Sequence, residues 1–161
     1  MDIYRSDPTL PLSPATRAGD FSAAELIFYD VDHSGPSFEG RVFLNTPEAD
    51  LGSPRELEAG YAGSFVIFGH GGCVGDEGHC DVPKGPKDPF DSRPLHALTP
   101  LTKVVDVSEA LRRVHDAGRD LHVTVVPIVA GEGAERADVL FFSAVRLVTY
   151  DRVLPPVARR E

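Results

Sequence analysis

The sequence predicts an all-β fold, an antiparallel β-sandwich of jelly-roll type with one short helix. Several segments are rich in β-branched and aromatic residues, and clusters of glycine, proline and small polar residues separate them. No helix-length pattern lies regularly between consecutive strands, so the βαβ units of a parallel sheet are not indicated. Strands joined by loops favour antiparallel pairing in a sandwich.

The elements follow in chain order. Strands are expected at 24–31, 38–45, 61–70, 101–107, 120–130 and 139–150. In the second of these, Val42 and Leu44 share one face, while Arg41, Phe43 and Asn45 share the other. Pro127 interrupts the fifth strand and predicts an edge or a bulge there. Ser108 followed by the segment 109–114 predicts a short helix with Ser108 as its N-cap.

The chain is predicted to form a single domain with two extensions. Its 161 residues suit one hydrophobic core. Residues 1–20 contain scattered prolines without periodicity and are expected to form an extended arm. The β-sandwich domain is assigned to residues 21–151, and residues 152–161 are expected to be a tail.

The charge of the chain excludes some classes of partner. A formal charge of −9 argues against nucleic-acid binding and against adsorption to an anionic membrane surface. The sequence has no apolar run long enough to span a membrane and no signal-peptide pattern. A cytoplasmic location is therefore expected.

The glycine-rich segment 69–81 is the predicted functional site. It holds both cysteines of the chain and two of its six histidines, and its donors are His70, Cys73, His79 and Cys80. Thiolate and imidazole ligands suit copper or zinc better than magnesium or calcium. His33 is the best additional ligand, because it follows a strand at a turn that is expected at the same sheet edge.

Other interpretations of this segment stay open. Cys73 and Cys80 could be joined by a short disulfide, could bind a structural metal ion, or could be free thiols buried in the core. A cysteine and a histidine of this segment could also form a nucleophile pair. His96, His115 and His122 are interpreted as structural residues. The motifs G-x-S-x-G, Walker A and H-E-x-x-H are missing from the sequence.

Three segments together resemble the C-terminal β-sandwich domain of the tyrosinase and polyphenol oxidase family. They are 38–45 (FEGRVFLN), 61–70 (YAGSFVIFGH) and 121–127 (LHVTVVP), and 145–150 takes the place of the family's closing strand. The resemblance covers residues 21–151, and the Cys73–Cys80 segment resembles a bacterial branch. It implies a domain that packs over the active-site entrance of a di-copper domain. No two histidines here lie four apart, so the helical His pair of such a copper centre is missing.

Three hypotheses follow for function. The first is a metal-binding accessory or partner-binding module, with copper ahead of zinc as the resemblance implies, whose partner is a tyrosinase-like copper oxidase. The second is a small mononuclear metalloenzyme for oxidative tailoring, and the third is a structural domain with a Cys73–Cys80 disulfide. The sequence leaves open whether the chain is complete or part of a longer oxidase.

Overall fold

The computed structural model is a two-sheet antiparallel β-sandwich, as the sequence predicts. It describes residues 2–33, 35–69, 89–90, 100–115, 120–129 and 138–150. The strands are β1 (Tyr4–Arg5), β2 (Ala23–Val31), β3 (Phe38–Leu44), β4 (Tyr61–Ile67), β5 (Leu101–Asp106), β6 (Val123–Val129) and β7 (Ala144–Tyr150). One sheet has the order β1-β6-β3-β4, and the other has the order β5-β2-β7. Within the described residues the sheets stay open and form no closed barrel.

The four-stranded sheet carries the strand that leads into the Cys/His segment. β3 lies at its centre, with β4 paired on one side and β6 on the other. β1 pairs with β6 only at Thr124 and Val125. Among the described strands Pro127 therefore pairs with β3 on one side and with no strand on the other, which suits a residue without an N–H to donate. β4 has no strand partner besides β3 in the described part of the chain.

The core lies between the two sheets and follows the alternation of the strands. Leu26 and Phe28 of β2 face Val42 of β3 and Val125 of β6, and all four are fully buried. The ring of Phe28 lies 4.9 Å from that of Phe65, centroid to centroid. Burial of these side chains is the main stabilising contribution to the sandwich.

Phe43 departs from the simple alternation. It lies on the outer face of β3, as the sequence pattern predicts, but it is fully buried with Val126 and Ala49. The segment after β3 folds back over this face, and Ala49 donates a backbone hydrogen bond to Thr46 there. The outer face of the sheet therefore carries a small second apolar cluster.

The predicted helix is present, but its predicted cap is wrong. α2 spans Ser108–Val114, and Val107 occupies the N-cap position without a side-chain hydrogen bond. Ser108 is the first helical residue, and its hydroxyl lies 2.6 Å from a carboxylate oxygen of Asp106. Asp106 also accepts from the Ser108 N–H at 2.8 Å, so the carboxylate before the helix satisfies the free donor.

The N-terminal segment has more structure than the extended arm that the sequence predicts. Besides β1 it contains a short helix, α1 (Pro14–Arg17), with Ser13 as its N-cap. Leu10 bridges to Leu121 through two backbone hydrogen bonds of 2.8 Å, and Leu12 is buried in the main core. Backbone pairing and burial therefore attach this segment to the sandwich.

Candidate functional site

The sequence-predicted site is described only at its border. His70, Cys73, His79 and Cys80 lie outside the described residues. Gly69, which precedes them, is described, and so is His33, which follows β2 and is half-buried. Among the residues with described positions, no three His, Cys, Asp or Glu side chains form a group that could hold a metal ion.

The end of β4 touches the turn that follows His33. The N–H of Gly69 donates to the hydroxyl of Ser37 at 3.0 Å. A Cβ atom built on Gly69 would lie 2.1 Å from the carbonyl oxygen of Gly35 and 2.4 Å from the carbonyl carbon of Pro36. Only glycine permits this approach of two backbones. The first residue of the Cys/His segment therefore contacts the turn that begins just after His33.

His115 and His122, interpreted as structural from the sequence, both have such contacts. His115 ends α2, where its Nδ1 lies 3.0 Å from the carbonyl oxygen of Arg17 and its ring meets Phe21 edge-on. The backbone N–H of His122 donates to the side-chain oxygen of Asn45 at 2.9 Å. His96 lies outside the described residues.

Two exposed apolar side chains lie at the end of β4. Val66 is 50% exposed and Phe68 is 80% exposed, whereas Phe65 before them and Ile67 between them are buried. The alternation of an extended chain puts Val66 and Phe68 on the outer face of the four-stranded sheet. An exposed phenylalanine this close to the Cys/His segment is a candidate contact for a partner protein.

Glu39 holds a charged network together on the same outer face. Arg55 donates to one of its oxygens at 2.6 Å, and Arg41 donates to the other at 3.2 Å. Partial burial alone would raise the pKa of Glu39, but hydrogen bonds from Ser64 and Arg41 and the charges of Arg55 and Arg41 outweigh it and lower that pKa. The network anchors the segment after β3 to the sheet.

A groove of about 610 Å³ lies between the start of β4 and the corner that joins β5 to α2. Arg55, Tyr61 and Arg112 of α2 are among the residues that line it. Sequence reasoning missed this groove because its residues come from two separate segments, 55–62 and 106–112, and form no linear motif.

The described part of the chain has no helix of sufficient length and hydropathy to span a lipid bilayer.

Comparison with known proteins gives matches among solved structures alone. No family profile and no curated protein matches the sequence. A latent aurone synthase (polyphenol oxidase) from its natural source matches with a TM-score of 0.47 and 17% identity, over 92% of this chain and 24% of that one. The recombinant latent enzyme matches with a TM-score of 0.47 and 18% identity. Its co-crystal with hexatungstotellurate(VI) matches with a TM-score of 0.48 and 18% identity, and the coverage of both chains is the same.

The chain thus spans about a quarter of the length of the polyphenol oxidases it matches. At this identity and TM-score the similarity carries nothing about activity, cofactor or partner. These structures belong to the family that the sequence resembles.

Proposed function

We propose that this chain is a metal-binding β-sandwich module that acts as an accessory to a tyrosinase-like copper oxidase. The ligands come from His70, Cys73, His79 and Cys80, with His33 as an additional donor, and copper is preferred to zinc. The observation that carries the proposal is the contact of Gly69 with Gly35 and Pro36, because it joins the start of the donor-rich segment to the turn next to His33.

The chemistry of the donors supports the choice of metal. Thiolate and imidazole bind copper and zinc well, whereas carboxylate and carbonyl oxygens suit magnesium and calcium. In the proposed site the thiolates come from Cys73 and Cys80, and most of the imidazoles come from the same segment.

The accessory role is supported by the exposed apolar residues beside this segment. Phe68 and Val66 form a small exposed apolar surface on a protein whose formal net charge is −9. The sequence also resembles a domain that packs over the entrance of a copper site.

Metal analysis of the whole chain, purified without a histidine tag, tests the metal site. We expect stoichiometric copper after loading under reducing conditions, loss of that copper in Cys73→Ser, and weakened binding in His33→Ala. His122→Ala is the matched control and retains the metal, since this histidine lies just before β6 with its Nδ1 3.4 Å from the Thr124 hydroxyl. Copper-free wild-type protein after loading, or equal copper in Cys73→Ser, contradicts the proposal.

Alkylation followed by mass spectrometry separates metal binding from the disulfide interpretation. The metal is first removed with a chelator. If Cys73 and Cys80 are metal ligands, both thiols then react with the alkylating reagent without reductant. Neither reacts without reductant if they are bonded to each other, and the chain is then a structural domain.

Association with an oxidase is tested separately. We expect the chain to bind the copper domain of a tyrosinase-type oxidase from the same organism and to slow its oxidation of diphenols. Phe68→Ser weakens this binding about tenfold, as expected for loss of an aromatic anchor. Phe141→Ser is the control, because Phe141 is 53% exposed and lies just before β7 in the other sheet. Equal effects of the two substitutions refute a contact through Phe68.

A further inference from the structure

The groove between β4 and α2 has the features of a small-molecule site. Its exposed apolar surface comes from the half-buried Leu57 and Ala62, and the buried Val107 and Ala110 at the start of α2 also line it. Val107 and Ala110 are buried in the core, so this surface is fixed by packing. A volume of about 610 Å³ falls in the range of pockets that hold small organic ligands.

Arg55 places a preoriented cation on one wall of the groove. Its Nη2 donates to Glu39 at 2.6 Å and lies 3.3 Å from the hydroxyl of Tyr61. The guanidinium carbon lies 5.5 Å from the centroid of the Tyr61 ring. These contacts hold the group in place, while Nε and Nη1 make no hydrogen bond to the part of the chain that the structure describes.

Arg112, which also lines the groove, is held by similar contacts. Its Nη2 donates to the carbonyl oxygen of Ser22 at 2.6 Å, and its guanidinium carbon lies 5.3 Å from the centroid of the Phe21 ring. Within the described residues its remaining N–H groups are also unused. A guanidinium has five N–H donors, so each arginine keeps donors for a ligand.

The two acidic residues of the groove have partners of their own. One oxygen of Asp106 accepts from both the N–H and the hydroxyl of Ser108. Glu109 lies 3.9 Å from a nitrogen of Arg113, one turn further along α2. Neither carboxylate makes a hydrogen bond to Arg55 or Arg112.

We propose that this groove binds a small organic carboxylate with an apolar body. The carboxylate accepts N–H groups of Arg55 and Arg112, because guanidinium groups match the geometry of that anion. The apolar body lies on the half-buried Leu57 and Ala62. This site uses none of the proposed metal ligands, so it stands independently of the proposed function.

Titration of the whole chain with phenylacetate tests the proposal by NMR of backbone amides. We expect saturable shifts at Ala62, Val107 and Arg112. Phenylacetamide, which has the same apolar body without the charge, binds about tenfold more weakly. Arg112→Gln and Arg55→Gln each weaken phenylacetate binding about tenfold and leave phenylacetamide binding unchanged.

Arg146→Gln is the matched control, because Arg146 stacks on Tyr29 at 5.7 Å and does not line the groove. It leaves the affinity for phenylacetate as in the wild type. The proposal is overturned by equal binding of phenylacetate and phenylacetamide, by shifts confined to other surfaces, by an absence of saturable shifts, or by an equal loss in Arg146→Gln. The comparison of the two probes on wild-type protein decides the matter even where an arginine variant fails to fold.

Discussion

Gly40→Ala is predicted to destabilise the sandwich through a clash in the core. Gly40 lies in the middle of β3, paired to Phe65 of β4 and Pro127 of β6. A Cβ atom at this position would lie 2.5 Å from Cζ of Phe65 and 2.8 Å from its Cε1. Carbon atoms in contact normally stay about 3.5–4.0 Å apart, so the ring must move by about 1 Å.

The Phe65 ring has little freedom to move. It is 5% exposed and packs against Phe28 and Phe38, with ring centroids 4.9 and 6.2 Å away. Overpacking of this kind costs about 1–3 kcal/mol, and the lower unfolded-state entropy of alanine returns about 0.4–1 kcal/mol. We expect a net loss of roughly 1–2 kcal/mol and a Tm lower by about 2–8 °C.

Far-UV circular dichroism during denaturation measures this loss, since the chain has no tryptophan to report by fluorescence. Gly52→Ala is the matched control, because a Cβ atom there meets only an oxygen of Asp50 at 3.5 Å. On a Phe65→Leu background, Gly40→Ala costs less, because the smaller side chain removes the clash. A Gly40→Ala protein as stable as the wild type, or an equal cost on both backgrounds, refutes the packing of Phe65 over Gly40.

Three further substitutions test the polar contacts. Glu39→Gln lowers the free energy of unfolding by roughly 1 kcal/mol near neutral pH. Because folding lowers the pKa of Glu39, the greater stability of the wild type is present above the unfolded-state pKa and disappears as the pH falls through the folded-state pKa. Denaturation curves that keep the same difference in stability at acid pH contradict this. Ser108→Ala raises the pKa of Asp106 part of the way towards its usual value, because it removes the Ser108 hydroxyl, the largest cause of the lowering, and keeps the backbone N–H; an unchanged carboxyl titration by NMR contradicts the contact. Thr124→Val costs about 0.5–1.5 kcal/mol, since it removes the 3.0 Å hydrogen bond to the Thr46 carbonyl, which keeps the N–H of Ala49, and denaturation at wild-type stability refutes that bond.

The fold was predictable wherever alternation in a strand matches burial. Ala24, Leu26 and Phe28 alternate with half-exposed residues, and the structure buries all three. Phe43 could not be assigned to a core in this way, because it is buried by the segment around Ala49 and not by the facing sheet. Burial by a loop leaves no periodic signal in the sequence.

Short elements and long-range contacts escaped prediction for related reasons. β1 has two residues and α1 has four, which is too short for a period to show. Ser108 looked like an N-cap because serine favours that position, but Asp106 supplies the hydrogen bond to its N–H. The expectation that His33 and the Cys/His segment share a sheet edge is wrong, because β2 and β4 lie in different sheets. The start of the segment does approach Gly35 and Pro36 after His33. The five metal ligands remain predictions.

X-ray absorption spectroscopy of the metal-loaded whole chain measures the donors around the ion. For the zinc-loaded protein we expect sulfur at about 2.3 Å together with imidazole nitrogen at about 2.0 Å, and the same donor types for copper. A shell of oxygen and nitrogen without sulfur, in protein whose two cysteines are bonded to each other, would show that the segment after β4 is a structural loop and no metal site.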